Sequence, residues 1–402
     1  MMKRRLFQIA TTLCFLSFCL ADVRIVGIRF QGNYSIPDDE LRQMVDLRPG
    51  MSVSETDLQQ TRQRLLRSGL FESVEIRKRY RSLEQGDDVF LIVGVREKVP
   101  LSKKIQFFPI LHYTDEYGFT YGGRTTFEDM LGVGERISFP LTWGGVREAA
   151  SEFRFPVHLG IADYAVGAAR IRRRTNPAFE IVDRRSEFEA GLEKRIDRFR
   201  YGLNTGWSGV SFGGADEHFS SLGAGAALDT RRTTILPRDA VYAGADWHHL
   251  AFGDSTSRPG VNRFTIDLRG YKAFIGRSVL AGQVLLLQST GALPDYLKPF
   301  IGGGATLRGY SAGRFVGDNA ALASIELRVP LTPPGELYRG GWDLFFDTGT
   351  AYNHGRSLGD SRFHNGVGGG FWLFVLGLGF NVDLAYDLDH SVRANFSTGF
   401  RF

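Results

Sequence analysis

Two short segments place carboxylates where they can act together. In Ser324-Ile325-Glu326-Leu327-Arg328-Val329-Pro330, apolar Ile325 and Leu327 alternate with polar neighbours. An extended strand sends successive side chains to opposite faces, so Glu326 lies on the polar face. In Trp342-Asp343-Leu344-Phe345-Phe346-Asp347, Trp342, Leu344 and Phe346 take one face, and Asp343 and Asp347 take the other. Carboxylates gathered on one side of a sheet call for a cation. A guanidinium suits them best, because its planar fork makes paired, charge-assisted hydrogen bonds.

Other constellations carry less. Gly206-Trp207-Ser208-Gly209-Val210 lacks the final glycine of a nucleophile elbow and sits in an expected strand. His248 and His249 are neighbours, and on a strand they point to opposite faces, so they cannot share one metal. The glycine-rich stretches lack the Lys-Ser/Thr of a phosphate loop. In a barrel, glycine serves curvature or close backbone approach. Arg172-Arg173-Arg174 is read as a strand end near headgroups. No enzyme site, cofactor or metal is called for.

The elements that position these residues divide the chain in two. The sequence has 402 residues, 43% hydrophobic content and a mean hydropathy of −0.15. After the first residues no run of about 20 apolar residues occurs, so no helix is expected to cross a membrane. A barrel remains open to such a chain, because only alternate residues face lipid. Residues 1–21 read as an export signal: Lys3, Arg4 and Arg5, then apolar Leu6 to Leu20, then Cys19-Leu20-Ala21 before Asp22. The competing reading is a lipoprotein signal at Cys19, against which bulky Phe18 argues. The only cysteines, Cys14 and Cys19, lie in this segment, so the exported chain would carry no thiol. The net charge of +5 and pI near 9.2 suit a barrel lumen or anionic headgroups. Export excludes nucleic acid as the partner.

Residues 22–99 have the texture of a small α/β unit. Val23 to Phe30 alternates like a strand and Gly32-Asn33 closes it. A helix is expected from Ser35, the candidate cap, with Pro37 in its first turn. Ser54-Glu55-Thr56-Asp57-Leu58 opens a second helix, with Leu58, Leu65 and Leu66 on its apolar face. Ser68-Gly69-Leu70-Phe71 ends it, and strands Ser73 to Arg79 and Val89 to Val95 follow. The order is β-α-α-β-β.

From residue 100 helical periodicity disappears. Phe264, Ile266 and Leu268 oppose Arg263, Thr265, Asp267 and Arg269; Phe188, Ala190 and Leu192 oppose Glu187, Glu189 and Glu193. Phe380, Val382, Leu384 and Tyr386 oppose Asn381, Asp383 and Asp387. Apolar outside, polar inside and no free edge is the pattern of a transmembrane barrel. Sixteen antiparallel strands are expected: 104–113, 118–128, 133–143, 148–157, 162–173, 185–194, 198–209, 218–229, 239–252, 261–272, 277–288, 320–330, 340–353, 362–376, 377–387 and 391–402. An even count returns both barrel ends to the side of the leading domain. The long gap 289–319 then falls on the extracellular side. In the last strand Val392, Ala394, Phe396, Thr398, Phe400 and Phe402 share the expected lipid face, opposite Arg393, Asn395, Ser397 and Arg401.

Three features carry a family resemblance. The β-α-α-β-β unit, with Arg67-Ser68-Gly69-Leu70-Phe71-Glu72-Ser73-Val74 at its helix-to-strand corner, resembles a POTRA domain. The terminal Phe400 and Phe402 resemble the C-terminal signal of bacterial outer-membrane proteins. Gly302-Gly303-Gly304-Ala305-Thr306-Leu307-Arg308-Gly309-Tyr310 resembles the sixth extracellular loop of the BamA/TamA superfamily of outer-membrane assembly and translocation barrels, the bacterial surface antigen type. Leu228-Asp229-Thr230-Arg231-Arg232 with Leu236-Pro237-Arg238, Ser324 to Pro330, and Phe345-Phe346-Asp347-Thr348-Gly349 fit the same family in register.

The resemblance implies that the loop folds back into the lumen. Arg308 would then pair with Glu326 and Asp347, Gly309 would turn the backbone, and Tyr310 would pack on the inner wall as part of a staple holding the barrel's shape. It also implies a function: outer-membrane protein assembly or insertion, or polypeptide translocation, with the barrel in the bacterial outer membrane and residues 22–99 in the periplasm. The partners implied are unfolded outer-membrane or secreted polypeptides, outer-membrane lipid, and periplasmic accessory proteins on the POTRA-like unit. Pro109, inside expected strand one, cannot donate a ladder hydrogen bond and is a candidate gate at the seam; the alternative is that strand one begins or ends differently and Pro109 lies at its margin. A single POTRA-like domain departs from the several of BamA-like insertases. That keeps open a passive pore, a structural surface barrel, or a dedicated exporter of one secreted partner.

Overall fold

The computed structural model describes residues 23–402 apart from 35, 81–87, 98–103, 132–133, 234–235, 254–257, 334–337, 376–377, 389–390 and 400, and apart from the side chain of His158. The expected export signal, Ser35 and Phe400 lie outside the described residues. The chain divides into two compact units, one ending at residue 103 and the other spanning Lys104–Phe402.

The first unit is a small mixed sheet with two helices. Its strands are β1 (Val23–Gln31), β2 (Ser52–Val53), β3 (Phe71–Tyr80) and β4 (Asp88–Glu97), in spatial order β2-β1-β4-β3. β4 runs parallel to β1 and antiparallel to β3. Helix α1 (Asp38–Val45) is capped at Pro37, so this proline stands just before the helix rather than in its first turn. Its ring fixes φ near the extended value a cap position needs, and its missing N–H costs nothing there. Helix α2 (Glu55–Arg67) starts with a capping box: the Ser54 N–H donates to Asp57 Oδ2 at 2.8 Å and the Asp57 N–H donates to Ser54 Oγ at 3.3 Å. Leu58 and Leu65 drive α2 onto the sheet, where they join Ile25, Leu41, Val45, Phe71, Val89, Leu91 and Val93 in one buried core. The two-residue β2 is an addition to the expected order.

The second unit is a sixteen-stranded antiparallel sheet rolled into a nearly closed barrel. Its strands are β5 (Ile105–Thr114), β6 (Gly118–Glu128), β7 (Arg136–Gly144), β8 (Val146–Leu159), β9 (Ala162–Asn176), β10 (Ile181–Ile196), β11 (Phe199–Phe212) and β12 (Ala215–Asp229), continued by β13 (Ala240–Phe252), β14 (Val261–Ala273), β15 (Val279–Ser289), β18 (Asn319–Pro330), β19 (Tyr338–Tyr352), β20 (His364–Val375), β21 (Leu378–Tyr386) and β22 (Val392–Thr398). The loop between β15 and β18 contributes a separate short pair, β16 (Phe300–Ile301) and β17 (Phe315–Val316). Phe188, Leu192, Phe264, Ile266, Leu268, Val382 and Leu384 stand exposed on the outer wall. Asp183, Gln283, Glu326, Asp343, Asp347 and Asp383 are buried on the inner one. That apolar outer band is what lipid requires.

The last strand departs from expectation. β22 stops at Thr398 rather than at the chain end, because Gly399 takes a left-handed φ of 80° that continues no strand. Phe402 therefore does not face lipid. It is buried against the inward-facing Ala240, Tyr271, Val279 and Ala281, and its carbonyl accepts a hydrogen bond from Arg328 Nη2 at 3.1 Å.

The lumen loop, the tail and the barrel seam

The loop is anchored where it enters and leaves the wall. Buried Asp318 accepts the Leu293 N–H at 2.7 Å on one oxygen and the His354 N–H at 2.7 Å on the other. The loop's first part packs Leu293, Tyr296 and Leu297 on inward-facing Val210, Phe219, Leu250 and Val261. Tyr296 donates its hydroxyl to Glu217 at 2.8 Å. The second part reaches the wall on the far side of β15. There Leu307, fully buried, and Tyr310 pack with Ile301, Ala320 and Leu322. The Tyr310 hydroxyl donates to the Asp387 carbonyl at 2.8 Å, and its ring meets Phe315 edge-on at 5.1 Å.

Two glycines make this approach feasible. Gly309 has φ of 100°, a region that L side chains rarely enter. Gly366 on β20 lies so close to the loop that a Cβ there would stand 2.0 Å from the Arg308 carbonyl oxygen. The loop thus rests directly on wall backbone.

Arg308 sits at the centre of a buried ionic network. Its Nε donates to Asp347 Oδ2 at 2.8 Å and its Nη2 to Asp347 Oδ1 at 3.0 Å, a two-point grip, while its backbone N–H reaches Asp347 Oδ2 at 3.2 Å. Nη2 also donates to Glu326 Oε2 at 3.3 Å, and Nη1 lies 3.6 Å from Asp383 Oδ2. The guanidinium lies over the Phe345 ring, 3.3 Å from its centroid. The predicted trio Arg308, Glu326 and Asp347 is brought together.

Four partners escaped the sequence reading. Arg328 Nε donates to Glu326 Oε1 at 2.7 Å. Arg401 Nη1 lies 3.0 Å from Asp347 Oδ1, and its Nη2 hydrogen-bonds the Thr306 carbonyl. Ser324 Oγ hydrogen-bonds Asp347, and Asp383 supplies the third carboxylate. Arg328 was within reach, being two residues from Glu326 on the same face. The chain terminus and the loop thus hold one carboxylate between them. Paired this way, charges that would be costly alone in a dry interior are balanced.

The loop also touches the first strands. Between β5 and β6, Glu116 Oε1 accepts the Ala305 N–H at 3.1 Å. Burial, and then neighbouring Glu116, push the Asp115 carboxyl above its ordinary range, although it accepts backbone N–H groups of Phe396 and Gly304.

The seam itself is thinly joined. β5 and β22 end the sixteen-strand order and share no ladder among the described residues. They meet through Thr398 Oγ1, which lies 2.6 Å from His112 Nδ1 and accepts the Tyr113 N–H at 3.1 Å, and through the Tyr113 and Phe396 rings, 5.2 Å apart. Pro109 lies within β5, exposed, opposite Gly123 on β6.

The remaining motifs are structural. Gly206 to Val210 lies inside β11. His248 and His249 contact different partners, Asn204 and Asn262. Arg231 grips Asp229 through two bonds of 2.9 Å at the β12–β13 turn. Arg172 and Arg174 face inward and pair with Glu187 and Asp183, whereas Arg173 faces outward.

Comparison with known proteins gives a consistent placement. A family model described as "Surface antigen variable number repeat", POTRA, matches residues 23–98, and one described as "Omp85 superfamily domain" matches residues 168–402. Among solved structures, BamA from Haemophilus ducreyi lacking POTRA domains 1–3 superposes with a TM-score of 0.66 at 16% identity, covering 94% of this chain and 84% of that one. CdiB from Acinetobacter baumannii gives 0.52 at 13% identity, covering 94% and 74%, and CdiB from Escherichia coli gives 0.56 at 11%, covering 94% and 76%. At these identities the likeness is one of fold. No curated protein sequence matches the chain.

Proposed function

This chain belongs to the Omp85 superfamily, and from that premise we propose that it handles unfolded polypeptides at the bacterial outer membrane, inserting barrel proteins or passing chains across, with its POTRA domain in the periplasm. The observation that carries this reading is the seam. A barrel closed all round by ladders offers no lateral exit, whereas β5 and β22 are joined mainly by side chains and by the loop and tail bridging behind them. Pro109 has no N–H to give and weakens β5 as a pairing strand. A client strand could add to the edge so exposed, satisfying its backbone groups as it enters lipid.

The POTRA sheet has its own edges. β3 is ten residues long and ends the sheet on one side. Main-chain pairing there would suit an extended segment of any sequence, which fits a client of many kinds or an accessory protein. A passive open pore suits the interior less well, because the loop and the tail both occupy it. A dedicated exporter of one secreted protein is a narrower form of the same reading.

Depletion of the protein, followed by quantitative proteomics of the outer membrane and the medium, tests the proposal. Loss of many outer-membrane barrels means assembly; loss of one secreted protein means dedicated export. An unchanged proteome beside channel conductance in planar bilayers would overturn both.

A further inference from the structure

The outer wall carries an arrangement that polypeptide handling does not use. Arg147 on β8 stands opposite Arg173 on β9, and Arg173 stands opposite Arg184 on β10. All three are exposed on the outer face, side by side in one row of the sheet. Neighbouring strands lie about 4.8 Å apart, and like charges directly opposite each other are destabilising. Among the described residues none of the three makes an ion pair or a side-chain hydrogen bond, in contrast to inward-facing Arg172 and Arg174. The carboxylate further along the row, Asp216, stands beyond Ser211 of the intervening strand. Three guanidiniums in a row, without an ion pair of their own, can hold an external anion between them.

The surroundings specify what kind. The row lies near the ends of its three strands that are joined by the β7–β8 and β9–β10 turns. Just below it comes a second row, Ala149, Ile171, Ser186 and Gly209, three of them small. Below that stand Phe188 and Trp207. A groove of about 800 Å³ runs over this floor, with the three arginines and the single outward carboxylate of their row, Asp216, at one end and Trp143, Ile171 and Trp207 among its walls. Aromatic residues at the rim of a barrel mark the level of the headgroups. A guanidinium binds phosphate oxygens through paired hydrogen bonds.

We propose that this groove binds a phosphorylated glycolipid of the outer leaflet, its phosphates held by Arg147, Arg173 and Arg184 and an acyl chain lying over Ala149, Ser186 and Gly209. Its assignment to the outer leaflet rests on the orientation proposed above, with the POTRA domain periplasmic. The binding itself does not depend on any client, so its test is separable from the depletion experiment.

Native mass spectrometry of the full-length processed protein in detergent, titrated with diphosphorylated lipid A, provides the test. The wild-type protein should bind lipid A with at least tenfold preference over phosphatidylethanolamine, and a monophosphorylated lipid A should bind several-fold more weakly. Replacing all three arginines, R147Q/R173Q/R184Q, should weaken lipid A binding at least tenfold; R147K/R173K/R184K should fall between, and K272Q/R277Q at the other rim should leave it unchanged. Heat-modifiable gel migration reports folding, and should the triple variant not fold, Arg173→Gln alone should cost several-fold. Unchanged binding in the folded glutamine variants would overturn the proposal. So would displacement of lipid A by millimolar inorganic phosphate, which would reduce the row to a small-anion site.

Discussion

Replacing Arg308 by alanine should loosen the barrel far more than the loss of one side chain suggests. The guanidinium touches three buried carboxylates, Asp347 at 2.8 Å, Glu326 at 3.3 Å and Asp383 at 3.6 Å. Removing one partner of a buried pair costs about 3–5 kcal/mol, chiefly because a charge is left without compensation. Here the loss is cushioned. Asp347 keeps Arg401 at 3.0 Å and Glu326 keeps Arg328 at 2.7 Å, whereas Asp383 loses the cation that faces it. The low end, about 3 kcal/mol, is therefore expected, roughly a hundredfold in the unfolding equilibrium at 1.4 kcal/mol per factor of ten. Heat-modifiable gel migration over a temperature series measures it, and limited proteolysis of residues 289–319 reports whether the loop leaves the lumen. The double variant R308A/D347A should cost clearly less than the sum of the singles, because the pair is one interaction. An Arg308→Ala protein that unfolds at the wild-type temperature with a protected loop would refute the reasoning.

Gly366→Ala should release the loop without altering any charge, since the new Cβ would meet the Arg308 carbonyl at 2.0 Å; protease sensitivity of the loop should rise as in Arg308→Ala. The Ser54 backbone N–H and then its hydroxyl hold the Asp57 carboxyl below its usual range. A depressed folded value means that this cap stabilises α2 above the ordinary carboxylate pKa and is lost as pH falls through the folded one. Asp57→Asn should accordingly reduce resistance to denaturant at pH 7, and the difference from wild type should close under acid, followed by circular dichroism. For Asp115 the sign reverses: burial and Glu116 raise its carboxyl, so the charged form costs stability at alkaline pH. Asp115→Asn should then unfold at a higher temperature than wild type at pH 8, with the gap closing as pH falls through the raised folded value to the ordinary carboxylate range.

Much of the barrel was legible because its signal is redundant. Alternation repeated through strand after strand, bounded by glycine, asparagine and aspartate, places faces even where a boundary slips by a residue or two. The same alternation by itself sets Glu326 and Asp347 on the inner face. The tail was not legible for a definite reason. A period-two pattern runs through Gly399 undisturbed, and nothing in it distinguishes an extended glycine from one at φ of 80°. That single backbone choice carries Arg401 to Asp347 and Phe402 into the lumen. Asp383 was assigned to the polar face, but its approach to Arg308 depends on how the loop settles on β20, which the spacing of residues along a strand does not encode. β2, two residues long, is too short for any periodicity.

The central claim is that the seam between β5 and β22 opens for a client. The chain has no cysteine after Cys19, so a cysteine pair placed at His112 and Thr398, whose side chains meet across the seam at 2.6 Å, tests this directly once its crosslinking is verified on a gel. H112C/T398C should support assembly or export when reduced, lose it on oxidation, and regain it with reductant, while each single cysteine variant stays active throughout. A fully crosslinked barrel that still supports wild-type levels of its client would contradict the account.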